Sequence, residues 1–89
     1  MAAAEPGSGA ASPLRAVVDV VARALVDQPD AVRATESARR GMTMVELTTA
    51  PGDMGKIIGR QGRTAAALRT LVAVTAEKHG TRAQLDIRD

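Results

Sequence analysis

The feature that most restricts how this chain can fold is a loop signal, Ile57-Ile58-Gly59-Arg60-Gln61-Gly62, preceded by Lys56 and followed by Arg63-Thr64. Glycine reaches φ > 0 at little cost and, having no Cβ, lets another backbone come close. An apolar pair before the first glycine and a helical pattern after the second predict a tight connection between two helices. Amide N–H groups at the start of the second helix can then face a phosphate, which the helix dipole also favours. A Gly-x-x-Gly alone would serve any helix–turn–helix. Its flanking residues and the elements around it give this one its weight.

Those elements follow from the periodicities on either side. Ser12-Pro13 reads as a helix start, serine as N-cap and proline in the first turn. Leu14, Val17, Val18, Val21 and Leu25 follow at helical spacing, and Pro29 stops the helix. Arg15, Asp19, Arg23 and Asp27, four apart on another face, form a solvated ladder of alternating charge. From Ala31 to Arg39 a first strand is expected, with Val32 and Ala34 inward, and Arg39-Arg40-Gly41 is a turn. Val45 and Leu47 alternate with Met44 and Glu46 in a second strand over 42–48, paired with the first as a hairpin. Ala50-Pro51-Gly52 breaks it. Asp53 then caps a very short helix, 53–58, which Gly59 ends. A longer helix over 63–78 has Leu68, Leu71, Val72 and Thr75 on its inner face, helped by Ala65, Ala76 and Val74, and His79-Gly80 ends it. Ala83, Leu85 and Ile87 alternate with Gln84, Asp86 and Arg88 in a last strand.

The order α-β-β-α-α-β has a geometric consequence. The last strand is reached through a helical crossover, so it lies parallel to the second with a right-handed connection. The expectation is an α+β fold of two layers, a three-stranded mixed β-sheet with three helices on one face. Residues 1–12, small, polar or turn-forming, read as a disordered tail, and residues 13–89 as the domain.

Composition sharpens the functional reading. The chain of 89 residues has no aromatic residue at all, so Val, Ala, Leu, Ile and Met must build its core. Base stacking on Phe, Tyr or Trp, the habit of many single-strand binders, is excluded. No cysteine and a single histidine, His79, argue against a metal centre or a disulfide, and no cofactor is expected. No run of transmembrane length and no signal-peptide pattern are present, so a cytoplasmic protein with no membrane partner is expected. Net charge is only +2, but it is uneven: Lys56, Arg60, Arg63 and Arg69 all fall between Asp53 and Glu77, where no acidic residue lies. Local fields of this kind steer phosphates more than net charge does.

On these residues the chain resembles a KH domain of type II, in which a helix and strand precede the shared β-α-α-β core. The stretch Pro51-Gly52-Asp53-Met54-Gly55-Lys56-Ile57-Ile58-Gly59-Arg60-Gln61-Gly62-Arg63-Thr64-Ala65, with Leu68-Arg69-Thr70-Leu71-Val72 after it, is similar to the small stand-alone bacterial KH proteins of the KhpA family. The resemblance covers about residues 14–88. Ala65 departs from the general KH pattern, where a larger aliphatic residue is frequent and gives a deeper groove floor.

The resemblance implies binding of single-stranded RNA, with the Gly59–Gly62 loop clamping the backbone of about four nucleotides. Gly59 and Gly62 would allow the close approach, and Lys56, Arg60, Gln61 and Arg63 would contact phosphate. Ile57 or Ile58 and the first turns of the next helix would offer bases an aliphatic floor. It further implies an RNA chaperone or post-transcriptional regulator, with links to cell shape and cell-wall biogenesis. The alternative is a protein-interaction scaffold, acting through homodimerisation or pairing with a larger KH-domain protein. Met54 and Ile57 near the loop, or Met42 and Met44 on the open sheet face, would be the contact surface. An enzyme is not expected, since His79 has no acid–base partner in the pattern, and neither is a small-molecule substrate.

Overall fold

The computed structural model describes residues 12–88, so the tail expected over residues 1–12 lies almost wholly outside the described residues. Helix α1 (Pro13–Leu25) is followed by strands β1 (Arg33–Arg39) and β2 (Met42–Thr48), helices α2 (Met54–Ile58) and α3 (Arg63–Lys78), and strand β3 (Ala83–Arg88). Single 3-10 turns precede β1 (Pro29–Ala31), α2 (Pro51–Asp53) and α3 (Arg60–Gly62). The sheet order is β1-β2-β3, antiparallel between β1 and β2 and parallel between β2 and β3. The α+β architecture expected from the order of elements is the one observed.

Local chemistry accounts for the boundaries. Ser12 caps α1 by accepting from the Arg15 backbone N–H, and its hydroxyl also donates to Glu36 of β1. The β1–β2 hairpin turns on two residues, Arg40 and Gly41, both at positive φ, the geometry that matches the twist of the flanking strands. At the end of α3, Thr81 N–H bonds Ala76 O and Gly80 N–H bonds Glu77 O, with Gly80 at φ +72°, which closes the helix with a Schellman motif.

The core lies between the sheet and the helices. Ala34, Val45, Leu47 and Leu85 meet Leu14, Val18 and Ala22 of α1, Ile57 of α2, and Leu68, Val72 and Ala76 of α3. The other sheet face is open and mostly polar, with Met42 and Met44 half-buried among Arg39, Glu46, Gln84 and Arg88.

Several expectations are corrected. Strand β1 starts at Arg33 rather than Ala31, because Pro29–Ala31 forms a 3-10 turn first. Helix α1 ends at Leu25, four residues before Pro29, and its buried stripe is Leu14, Val18 and Ala22, leaving Leu25 exposed. Leu71 and Val74 are exposed and Thr75 only half-buried, so the inner face of α3 is Ala65, Leu68, Val72 and Ala76. Spacings of three and four carry that narrow stripe straight along the helix, and its alanines let α3 lie close to its neighbours. Of the charge ladder, Arg23 and Asp19 pair, while Asp27 lies beyond the helix end and takes a different partner.

Candidate nucleic-acid interface

The connection between α2 and α3 is as tight as its glycines suggest. Gly59 stands at φ +77° as the C-cap of α2 and bonds Gly55 O through its N–H. Arg60–Gly62 make one 3-10 turn closed by Gly62 N–H on Gly59 O, with Gln61 at φ +58° and Gly62 at +72°. The two glycines serve different purposes. A Cβ on Gly59 would overlap the Thr64 side chain and come within 2.9 Å of its backbone nitrogen, so the space is taken by the protein itself. A Cβ on Gly62 would meet nothing within 4 Å, so this glycine faces open space.

Gly62 is also the N-cap of α3 and supplies no side-chain acceptor to the first turn. The first N–H groups of a sixteen-residue helix are thus left without a side-chain cap, next to the exposed Arg60, Gln61 and Arg63. Among the described residues, Arg60, Arg63 and Arg69 form no ion pair. Ile58 presents more than a third of its surface to solvent, whereas Ile57 is fully buried. Ile57 is therefore core, and offers surface neither to a base nor to a partner. Ala65 is buried as well, so its small side chain faces inward rather than flooring a groove.

Lys56 is the residue whose setting the linear sequence conceals. Its ammonium lies 3.2 Å from Asp27 Oδ2 and 3.6 Å from Asp53 Oδ1. The hydrogen bond and charge of Asp27, with Asp53 behind, outweigh desolvation and raise its pKa above the ordinary lysine value.

Asp53 stands at the N-cap position of α2 but makes no capping bond. Its two oxygens instead accept the backbone N–H groups of Asp27, at 3.2 Å, and Gln28, at 3.0 Å. Burial pushes the Asp53 carboxyl up, yet the Gln28 and Asp27 amides and the Lys56 ammonium together hold it below the usual 3.8. The expected helix cap is in fact a tie between two distant segments. Asp27, Gln28 and Thr64 thus join the site's surroundings. Asp27 was marked beforehand only as the end of the charge ladder and Thr64 only as the close of the loop signal, while nothing marked Gln28.

A family model described as KhpA/KhpB, KH domain, matches residues 15–87. A protein of Halalkalibacterium halodurans named RNA-binding protein KhpA is 47% identical over 76 residues, covering 85% of this chain and 100% of the relative. Its namesake in Caldanaerobacter subterraneus subsp. tengcongensis is 48% identical over 71 residues, covering 80% and 95%. Another, from Aquifex aeolicus, is 42% identical over 76 residues, covering 85% and 96%. With a match over nearly all of the described domain and the type II order of elements observed, the chain belongs to the KhpA/KhpB family of KH-domain proteins.

Proposed function

We propose that this chain binds single-stranded RNA in the cytoplasm, as an RNA chaperone or post-transcriptional regulator. In this reading the Gly59–Gly62 loop clamps the phosphate backbone. Arg60, Gln61 and Arg63, with Lys56 behind them, meet phosphate, while Gly62 and the uncapped start of α3 allow the backbone to come close. Ile58 is the aliphatic surface available to a base. The observation that carries the reading is the exposed Arg60 and Arg63, free of ion pairs among the described residues, beside the open face of Gly62. The names of the relatives, RNA-binding proteins, support it.

Replacing Arg60 and Gln61 together by Asp tests this directly. Both side chains are exposed, and Asp tolerates the positive φ at position 61 better than most residues, so the fold should survive. Two carboxylates would repel the clamped phosphate, and binding to a short oligouridine should be lost. The parent protein should bind with a log–log salt slope of about −1.5 to −3, from roughly two to four phosphate contacts. Unchanged affinity in the double variant, or a preference for duplex RNA, would exclude the loop as the clamp.

The same reading includes pairing with a second copy or with a larger KH-domain protein. A groove that holds about four nucleotides, without stacking aromatics, gains roughly 10²–10⁴ in avidity when two act on one RNA. The apolar surface of Ala16, Val17, Val20 and Val21 on α1, with Val20 two-thirds exposed, supports it. So does the cleft of Arg39, Arg40, Met42, Met44 and Gln84 on the open sheet face. Analytical ultracentrifugation across micromolar concentrations and a pull-down from cells test the two forms of pairing. A monomer that recovers no partner and binds short RNA tightly alone would overturn it.

A further inference from the structure

Asp27 lies twenty-nine positions before Lys56, on the far side of the β1–β2 hairpin, and yet its carboxylate occupies the space beside the lysine ammonium. Its place is built rather than accidental. Asp53, with only 3% of its side chain exposed, accepts the Asp27 N–H with one oxygen and the Gln28 N–H with the other. The backbone that carries the Asp27 side chain is therefore fixed to the 3-10 turn that leads into α2. Asp53 also approaches Lys56 from the protein side, while Asp27 approaches from solvent with 77% of its side chain exposed. The ammonium sits between a buried carboxylate that cannot leave and an exposed one that can.

We propose that Asp27 is an affinity-setting residue, an internal stand-in for phosphate that Lys56 must release before it can take an RNA phosphate. The inference rests on the clamp reading above. Binding then exchanges the Asp27 contact for a phosphate contact, while Asp53 keeps the lysine at the base of the loop. The exchange cancels part of what Lys56 would otherwise contribute. Ligands that also engage Arg60 and Arg63 lose little by it, whereas an isolated phosphate would have to displace Asp27 unaided.

The test is a double-mutant cycle on the full chain with Asp27→Asn and Lys56→Gln, read by fluorescence anisotropy of a labelled oligouridine over a range of salt. Asn at position 27 keeps the backbone N–H that Asp53 accepts, and a thermal melt checks the fold of each variant. D27N should bind roughly two- to fivefold more tightly, the span of an exposed ion pair. Its salt slope should steepen by about 0.7, because no carboxylate is then set free to take back a cation when Lys56 engages phosphate. Both effects should vanish when Lys56 is already Gln. An equal gain in the K56Q background would overturn the proposal, since general charge would then explain it. No change in affinity or slope on D27N, with binding still abolished by the double Asp substitution of Arg60 and Gln61, would overturn it while leaving the clamp standing. Full binding by that double variant removes the loop clamp instead, a failure that the cycle at Lys56 reads separately.

Discussion

Two glycines in one motif make different demands, and the difference is measurable. At Gly62 an alanine meets open space and has only the left-handed backbone against it, about 1–2 kcal/mol. At Gly59 the backbone (φ +77°, ψ 169°) is one that almost only glycine adopts, so a larger backbone penalty is joined by overlap with Thr64, and the loss should exceed that of Gly62→Ala by roughly 1–3 kcal/mol. Urea unfolding of the two variants checks this, and equal losses would remove Thr64 from the account. The sequence made both glycines legible as conformational necessities, because their spacing sits between two helical patterns. It could not show that one is filled from within and the other faces outward. That depends on where the first turn of α3 lands, which neighbours three and more residues away decide together.

The adjacent isoleucines pose the same question for an element. On a helix as short as Met54–Ile58, two consecutive apolar residues point about 100° apart, and only packing decides which enters the core. Ile57 does, so Ile57→Ala should cost about 2–5 kcal/mol. Ile58→Ala should cost clearly less, about 1 kcal/mol for its partly covered side chain, while weakening RNA binding. Denaturant midpoints and anisotropy titrations on the pair separate the two roles, and a stability loss at Ile58 equal to that at Ile57 would contradict the assignment. The strands were legible because alternation with period two survives in Val45/Leu47 and Ala83/Leu85/Ile87. The inner face of α3 was only partly so. Leu71 and Val74 carry hydrophobicity without burial, and the alanines that carry the burial are small enough to pass as filler.

At the scale of the whole molecule, Asp53 joins what the chain separates, and pH reports on it. Its folded pKa lies below the unfolded 3.8, so its contribution is present above that value and lost as pH falls through the folded one. Asp53→Asn leaves one of the two backbone N–H groups without an acceptor and the other without a charged one, and should be less stable at neutral pH. It should also lose less on acidification below 3.8 than the parent does. Melting temperatures from pH 7 to pH 2 check this, and parallel curves would show that Asp53 does not govern the acid limb. No sequence pattern announced that tie, since it spans more than twenty residues and ends on backbone amides. The parallel pairing of β2 with β3 has a kinetic consequence as well. Its crossover is α2, the glycine loop and α3, so the segment proposed to clamp RNA is itself the connection that must close before the third strand can join. An RNA that grips both helices staples that closure. The bound protein should unfold more slowly than the free one, with the gain appearing first in hydrogen-exchange protection of β3.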